Sequence, residues 1–303
     1  MASLPDPGAG RFASQFLNED FQRALAHWNH QRLAPALPSA DWQLILDGDA
    51  KMLRLEGGFV EELRAEVADE AAAAPTDAEG FVAWFEDLKQ TGPGQRDPLF
   101  PWLAETASLD EMRWFLTQEA AGEAGFEDLT AYAQVKLPSR AKLELARNYW
   151  DEMGRGNPKG MHGPMLEQMV TALGLSPEID TTAWESLALA NTLTAFAMTR
   201  RYAWHSVGAL GVVELTAPSR VALIAKGLRR LEHPPVVRKY FDLHAVLDIR
   251  HAEDWIANVL RPLVASDPDC APYLAEGALM RLTSGKRCFD AYRAHLWRCR
   301  AAA

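Results

Sequence analysis

The sequence predicts an all-α fold for this chain of 303 residues. Ala, Leu, Glu and Arg recur with helical spacing throughout, whereas the alternating runs of Val, Ile or Thr that are typical of strands are scarce. Hydrophobic residues make up 48% of the chain, which is enough for one large core, with or without a smaller appended domain, in the absence of disulfides. We therefore expect a globular helical bundle.

The first hundred residues form a predicted N-terminal helical segment. Its helices are expected at 12–33, 40–55, 59–73 and 77–90, and each ends at Pro, Gly or a cluster of small polar residues. The stretch 91–101 contains two Gly and three Pro, a composition that helix interiors do not tolerate. We place a domain boundary there, with a possible oligomerisation role for 1–100 and the main bundle at 101–303.

The main bundle is predicted from longer helical patterns. They cover 107–121, 124–135, 138–153, 161–173, 181–200, 203–231, 236–264 and 268–297. Short connections, such as residues 231–235, favour antiparallel neighbours, so an up-and-down arrangement is expected.

Charge and cysteine content exclude several classes of protein. The formal net charge is −10 and no long run of Lys or Arg offsets it, which argues against a nucleic-acid partner. Cys270, Cys288 and Cys299 have no CxxC spacing and are interpreted as packing residues in a reducing cytoplasm. No signal-peptide pattern and no uncharged apolar stretch of 18 residues occurs, so neither secretion nor membrane spanning is expected.

The segment 240–255 contains the most informative pattern, H-x3-D-x2-H. On a helix, His244, Asp248 and His251 fall within an arc of roughly 60°. Two imidazoles and one carboxylate on one face suit an octahedral Fe(II) or Mn(II) ion. A solvated polar stripe is the alternative, but Tyr240 and Trp255 lie on or beside the same stripe and indicate a buried face.

Two upstream elements carry further candidate ligands. Glu214 is the only Asp, Glu, Lys or Arg between His205 and Arg220. Burying its carboxylate without a partner would be costly, so a cation is expected to bind it. The alternative is a surface position or an ion pair with an Arg. Glu152 and His162 flank a turn rich in Gly and Pro that can fold both side chains back to one point. Such turns are common, so this element alone is weak support.

The three blocks together resemble the haem-oxygenase-like diiron oxidases and oxygenases, a family of iron-containing redox enzymes. The resemblance lies in the order and spacing of E-x-G-x-G-x5-H at 152–162, the isolated Glu214 and H-x3-D-x2-H at 244–251, and it covers about 105–300. It implies a seven-helix up-and-down bundle with an N-terminal helical extension. It also implies two Fe(II) ions as cofactors and O2 as co-substrate.

Carried over onto this chain, the resemblance implies a specific set of metal ligands. Glu152 and His162 would bind one iron, His244 and His251 the other, and Glu214 and Asp248 would complete or bridge the pair. Some family members use one more carboxylate from an earlier helix. For that position the candidate ligands are Glu119 in first place, with Glu123 and Glu127 as rivals.

The function that this implies is O2-dependent oxidation of a small metabolite bearing an amine or a carboxylate, with an external electron donor as a possible partner. N-oxygenation is the preferred reaction, because the Glu-x-Gly-x-Gly turn and the N-terminal helices resemble that branch. Oxidative cleavage of a carbon-carbon bond or decarboxylation at the same site is the alternative. The alternative from another functional class is a non-catalytic helical protein that binds a ligand. A homodimer is a possible assembly.

A few polar residues outside the three blocks are interpreted as structural. His27 and His30 lack a carboxylate in register, and His205 falls on the opposite helical face from Glu214 and is expected to pack. Arg147, Tyr149 and Arg238 precede segments that carry ligands and could reach a substrate carboxylate. Surface salt bridges account for the two arginines equally well.

Overall fold

The computed structural model describes residues 14–38, 41–123 and 125–301, and within these ranges it contains helices and no strand. The prediction of an all-α fold is confirmed. The helices are α1 (Glu19–Leu33), α2 (Trp42–Ala72), α3 (Ala78–Thr91), α4 (Leu99–Glu105), α5 (Leu109–Gly122), α6 (Phe126–Ala133), α7 (Ser139–Glu152), α8 (His162–Leu173), α9 (Trp184–Met198), α10 (Ala203–Arg230), α11 (Pro235–Trp255), α12 (Arg261–Ser266) and α13 (Ala271–Ala301).

Most predicted helices of the main bundle agree with these bounds to within about four residues at each end. The helix predicted over 236–264 is the exception, because α11 ends at Trp255 and a π-helical turn, Ile256–Leu260, separates it from α12. The first helix begins at Glu19 rather than near residue 12, and the predicted part at 12–13 lies outside the described residues.

The predicted break between 55 and 59 is wrong, because α2 runs unbroken through Gly57 and Gly58. An apolar stripe that includes Phe59 and Leu63 is buried beyond the two glycines and holds the chain in helical register. A Cβ atom at position 58 would lie 2.8 Å from the ring of Phe16, so Gly58 lets that ring pack directly on the helix. Burial of this stripe outweighs the helical penalty of about 1 kcal/mol for each glycine.

Helix α10 lies at the centre of the bundle and packs mainly against α11, α13 and α4. It approaches α13 backbone to backbone. A Cβ atom at Gly208 would lie 2.0 Å from the carbonyl oxygen of Leu274, and one at Gly277 would lie 2.1 Å from that of His205. These two glycines therefore set the spacing of the two longest helices that flank the candidate site.

The N-terminal helices share a core with the main bundle. Helix α1 packs on α9, α2 on α13 and α3 on α12, and one continuous cluster of buried side chains includes Leu25, Phe85 and Phe196. The boundary near residue 100 stays a prediction. So does an oligomerisation role for 1–100, although Trp42, Leu44, Ile45 and Leu46 at the start of α2 are each more than half exposed.

One segment of the described chain, residues 200–230, is long and apolar enough to cross a membrane by length and composition. In the fold, 67% of its most apolar window is buried inside the protein. A core helix of a soluble protein has the same properties, and the packing of α10 between α11 and α13 accounts for its composition. A cytoplasmic location stays a prediction.

The close crossing of α10 and α13 predicts that Gly277→Ala lowers the free energy of unfolding. Its added methyl group would meet backbone atoms that cannot rotate away, and we expect a loss of about 1–3 kcal/mol, as for other overpacked cores. Gly57→Ala is the matched control, because no atom lies within 4 Å of its Cβ position and alanine favours the helix. Urea unfolding followed by circular dichroism measures the free energy of unfolding of both variants. Equal losses in Gly277→Ala and Gly57→Ala would contradict the close approach of α10 and α13.

Candidate metal centre

The structure brings the six predicted ligands into one buried cluster. Each of these residues is at most 5% exposed: Glu152, His162, Glu214, His244, Asp248 and His251. Two overlapping groups have candidate ligand atoms within 4.8 Å of one another, and these are Glu152 with His162 and His244, and Glu152 with Glu214 and His251. Glu152 is common to both groups.

The turn between α7 and α8 explains how Glu152 meets His162. Glu152 is the last residue of α7, and His162 is the first of α8. Between them, 154–156 adopt positive φ angles of 61°, 53° and 83°, which reverse the chain. A Cβ atom at Gly154 would lie 2.5 Å from the backbone carbon of Gly160, so only glycine permits this turn. As a result, Glu152 Oε2 lies 2.8 Å from His162 Nδ1.

Helix α11 presents its three candidate ligands on one buried face, as the spacing predicts. His244 donates a hydrogen bond from Nδ1 to the carbonyl oxygen of Tyr240 at 2.7 Å, which leaves its Nε2 as the available nitrogen. His251 contacts Asp151 Oδ2 through Nε2 at 3.4 Å, which leaves Nδ1. Such outer contacts orient an imidazole and select its tautomer for metal binding.

Glu214 enters the cluster from the central helix α10. Asn148 on α7 donates a hydrogen bond from Nδ2 to Glu214 Oε1 at 2.6 Å, and Glu214 Oε2 lies 3.5 Å from His251 Nδ1. The sequence analysis missed Asn148 and Asp151. A helical spacing of four residues between Asn148 and Glu152 is the signal that could have identified the first of them.

Several atoms of this cluster are buried without a hydrogen-bond partner. They include His244 Nε2, His251 Nδ1 and Asp248 Oδ1. Buried polar atoms without partners are costly, and in native proteins most are satisfied by protein, water or an ion. Imidazole nitrogens and carboxylate oxygens are donors that suit Fe(II) or Mn(II), so the residues present fit an iron site.

The electrostatics of the cluster also favour bound cations. Burial, then Glu214 and Glu152, raise the pKa of Asp248 well above its ordinary value. Burial alone would lower the pKa of His251, but Glu214 and Glu152 outweigh it and raise this pKa to about 9. Burial would likewise lower the pKa of His162, yet Glu123 and Glu152 raise it well above its ordinary value. Without metal, protons compensate an excess of buried negative charge.

The three carboxylates considered for an additional ligand occupy different places. Glu123 Oε1 lies 3.0 Å from His162 Nε2. Glu127 accepts a hydrogen bond from the backbone N–H of Gly163 at 3.2 Å, and its other oxygen is buried without a partner. The first choice, Glu119, interacts with two arginines and a tyrosine. None of the three carboxylates belongs to either group of candidate ligands. Glu119 and Glu123 line the same cavity, and the choice among the three carboxylates stays a prediction.

Most other polar candidates have structural partners. His205 does more than pack, since its Nε2 lies 2.7 Å from Glu276 Oε2, within hydrogen-bond distance, at a partly buried position. His27 contacts Asp180 at 2.8 Å on the surface. Arg147 and Arg238 form ion pairs with carboxylates close to them in the sequence. Neither of them, nor Tyr149, lines the cavity beside the cluster.

Comparison with known proteins identifies the family. A family model described as iron-containing redox enzyme matches residues 113–286, more than half of the chain. The chain belongs to the iron-containing redox enzyme family. This match confirms the resemblance drawn from the three motif blocks, and the family's name supports an oxidoreductase that contains iron. A search of curated proteins found no match.

The search of solved structures found proteins similar in fold to this chain. A CADD-like protein of unknown function from Nostoc punctiforme, solved at 2.00 Å, is 16% identical, with 80% of this chain and 99% of that chain covered and a TM-score of 0.50. A second structure of the same protein, at 1.35 Å, gives 16% identity, coverage of 80% and 96%, and a TM-score of 0.48. The expected haem-oxygenase-like fold class is confirmed for this chain.

The raised pKa of His251 predicts how pH affects the metal-free protein. Its folded pKa of about 9 lies above the unfolded value of about 6.5, so its contribution to stability is fully present below about pH 6.5. That contribution is lost as pH rises through 9. We expect Tm of the metal-free protein to fall between about pH 7 and about pH 9.5, and to fall less in His251→Gln, measured by circular dichroism. Equal slopes for both proteins would contradict this account.

Proposed function

We propose that this protein is a non-haem diiron enzyme that uses O2 to oxidise a small metabolite. The observation that supports this most directly is the place of Glu152, whose carboxylate belongs to both groups of candidate ligands. A carboxylate has two oxygens and can serve as a ligand to two neighbouring metal ions. The buried atoms without partners in the same cluster support the same conclusion.

The grouping suggests a different division of ligands from the one that the resemblance implied. One iron would be held by Glu152, His162 and His244, and the other by Glu152, Glu214 and His251. The two histidines of α11 would therefore bind different ions rather than the same one. Asp248 Oδ1 lies 4.0 Å from His251 Nδ1 and is available to either ion.

Two Fe(II) ions would supply two of the electrons that reduce O2. Insertion of one oxygen atom into an N–H bond and reduction of the other to water requires two electrons and two protons beyond the substrate. Because the protein must be returned to its reduced form after each turnover, an external electron donor is part of the proposal. The chain itself positions the ligands, binds the substrate and keeps water away from the buried site.

We prefer N-oxygenation to carbon-carbon cleavage or decarboxylation of an amino or fatty acid. The Glu-x-Gly-x-Gly turn at 152–156 and the N-terminal helices favour that branch. The charge around the site also favours it. Glu123 lines the cavity beside His162, so a nitrogen that donates hydrogen bonds suits this part of the cavity better than a carboxylate does.

Iron binding tests the diiron proposal against a non-catalytic ligand-binding protein. We expect about two Fe(II) per chain after anaerobic loading, and an O2-dependent absorbance change in stopped flow. Glu152→Ala removes the shared ligand and should bind less than one Fe(II), whereas His205→Asn, which alters a buried histidine outside the cluster, should keep both. Elemental analysis checks the stoichiometry. Two irons in Glu152→Ala, or no response to O2, would contradict the proposal.

Product analysis tests the type of reaction. The enzyme with Fe(II), a reductant and isotopically labelled O2 is incubated with a panel of amines, amino acids and fatty acids and analysed by mass spectrometry. N-oxygenation predicts that a nitrogen compound gains labelled oxygen and keeps all its carbon atoms, and that Glu152→Ala abolishes the gain. A product that has lost carbon would establish the alternative reaction instead.

A further inference from the structure

The candidate metal centre opens into a cavity of about 150 Å³ that extends along α10. Residues of α10 at helical spacing line it, namely Glu214, Ala217, Val221 and Ile224, and apolar side chains from other helices form much of the remaining wall. Its size suits a compact metabolite. Arg220 lies on the same helix, six residues and about 9 Å of helix axis beyond Glu214.

Two arginines line this cavity with nitrogen atoms that have no partner. Arg220 is 9% exposed, and its Nη2 donates to Thr216 Oγ1 at 3.2 Å while its buried Nη1 has no hydrogen-bond partner. Arg281 on α13 has two such buried nitrogens, Nε and Nη1. The rings of Phe100 and Phe289 lie 5.9 and 5.6 Å from the guanidinium carbon of Arg220 and help to hold it in place.

The charges at this end of the cavity do not balance. Glu119 is the carboxylate that interacts with both guanidinium groups, and Tyr292 is its hydrogen-bonding neighbour. Burial, then Arg281, lower the pKa of Arg220 to about 9, so the group remains charged at neutral pH. Burial raises the pKa of the neighbouring Cys288 thiol and keeps it neutral, so two guanidinium groups face one carboxyl group.

We infer that Arg220 and Arg281 form the binding site for the carboxylate of the substrate, at the end of the cavity remote from Glu214. A carboxylate would accept hydrogen bonds from the nitrogens that lack partners and would neutralise the remaining positive charge. The substrate class is then a compact monocarboxylic acid, amino acids included, whose oxidised group lies several bonds from the acid. This inference rests on the proposed function and deepens it.

Binding of pentanoate to the metal-free protein tests the inference without iron or turnover. Isothermal titration calorimetry should detect pentanoate and L-norvaline, its α-amino derivative, but not the isosteric neutral pentanamide or the cation pentylamine. Arg220→Met and Arg281→Met should each weaken pentanoate binding about tenfold or more, because each removes charged hydrogen-bond donors. Glu119→Gln should tighten it, because Glu119 competes with the ligand for the same two arginines.

Two further variants separate binding from folding. Arg220→Lys keeps the charge but loses the planar fork, so it should fold and still bind pentanoate less tightly than the wild type. Arg230→Met is the matched control from the same helix, because Arg230 donates to backbone carbonyls of residues 103, 104 and 107 and does not line the cavity. It should lower Tm and leave pentanoate affinity unchanged.

The outcomes distinguish this inference from the diiron proposal. Arg220→Met is expected to retain about two Fe(II), since its side chain is in neither ligand group. If the wild type binds no carboxylate, prefers pentylamine, or binds pentanoate equally well in Arg220→Met and Arg281→Met, the inference is overturned while iron binding stands. If iron does not bind but pentanoate does, the diiron proposal fails and the carboxylate site is retained.

Discussion

The buried carboxylate of Glu152 is the feature on which the candidate site depends. It lies at the end of α7, contacts His162 directly and belongs to both groups of candidate ligands. Together with Glu214 and Asp248 it places three acidic side chains in a helical core, where uncompensated charge is very costly. Cations must balance this charge, and the raised pKa values of Asp248 and His251 favour bound protons in the metal-free chain.

The bundle supports this arrangement by bringing together the four helices that carry candidate ligands, α7, α8, α10 and α11. Glycines at 208 and 277 allow α10 to approach α13 at backbone distance, and the left-handed turn at 154–156 returns the chain from α7 to α8. Outer contacts from Asn148 and the carbonyl of Tyr240 then fix the orientation of individual ligands. The chain therefore has a buried cluster of carboxylates and imidazoles that could bind metal, which suits the iron-containing redox enzyme family to which it belongs.

Two groups of charged side chains line the cavity. Acidic side chains and imidazoles form the candidate metal centre, whereas Arg220 and Arg281 line another part of the same cavity. Glu119 interacts with both arginines. The two arginines can orient a small acid before any chemistry takes place, because their nitrogens without partners donate hydrogen bonds to its carboxylate and not to its other end. The proposed reaction and the proposed acid-binding site are consistent on this point, since the acid group would be held away from the centre.

The sequence by itself determined the helical class, most helix bounds and the six candidate ligands that converge. These features depend on local patterns: the turn of a helix places 244, 248 and 251 on one face, and glycines define the turn beside Glu152. Tertiary structure alone decided that α2 continues through Gly57, that the two histidines of α11 fall in different groups, and that Glu119 lies with the arginines. Arg281 meets Arg220 only because α10 and α13 cross, and such contacts between distant segments depend on packing geometry that no local pattern encodes.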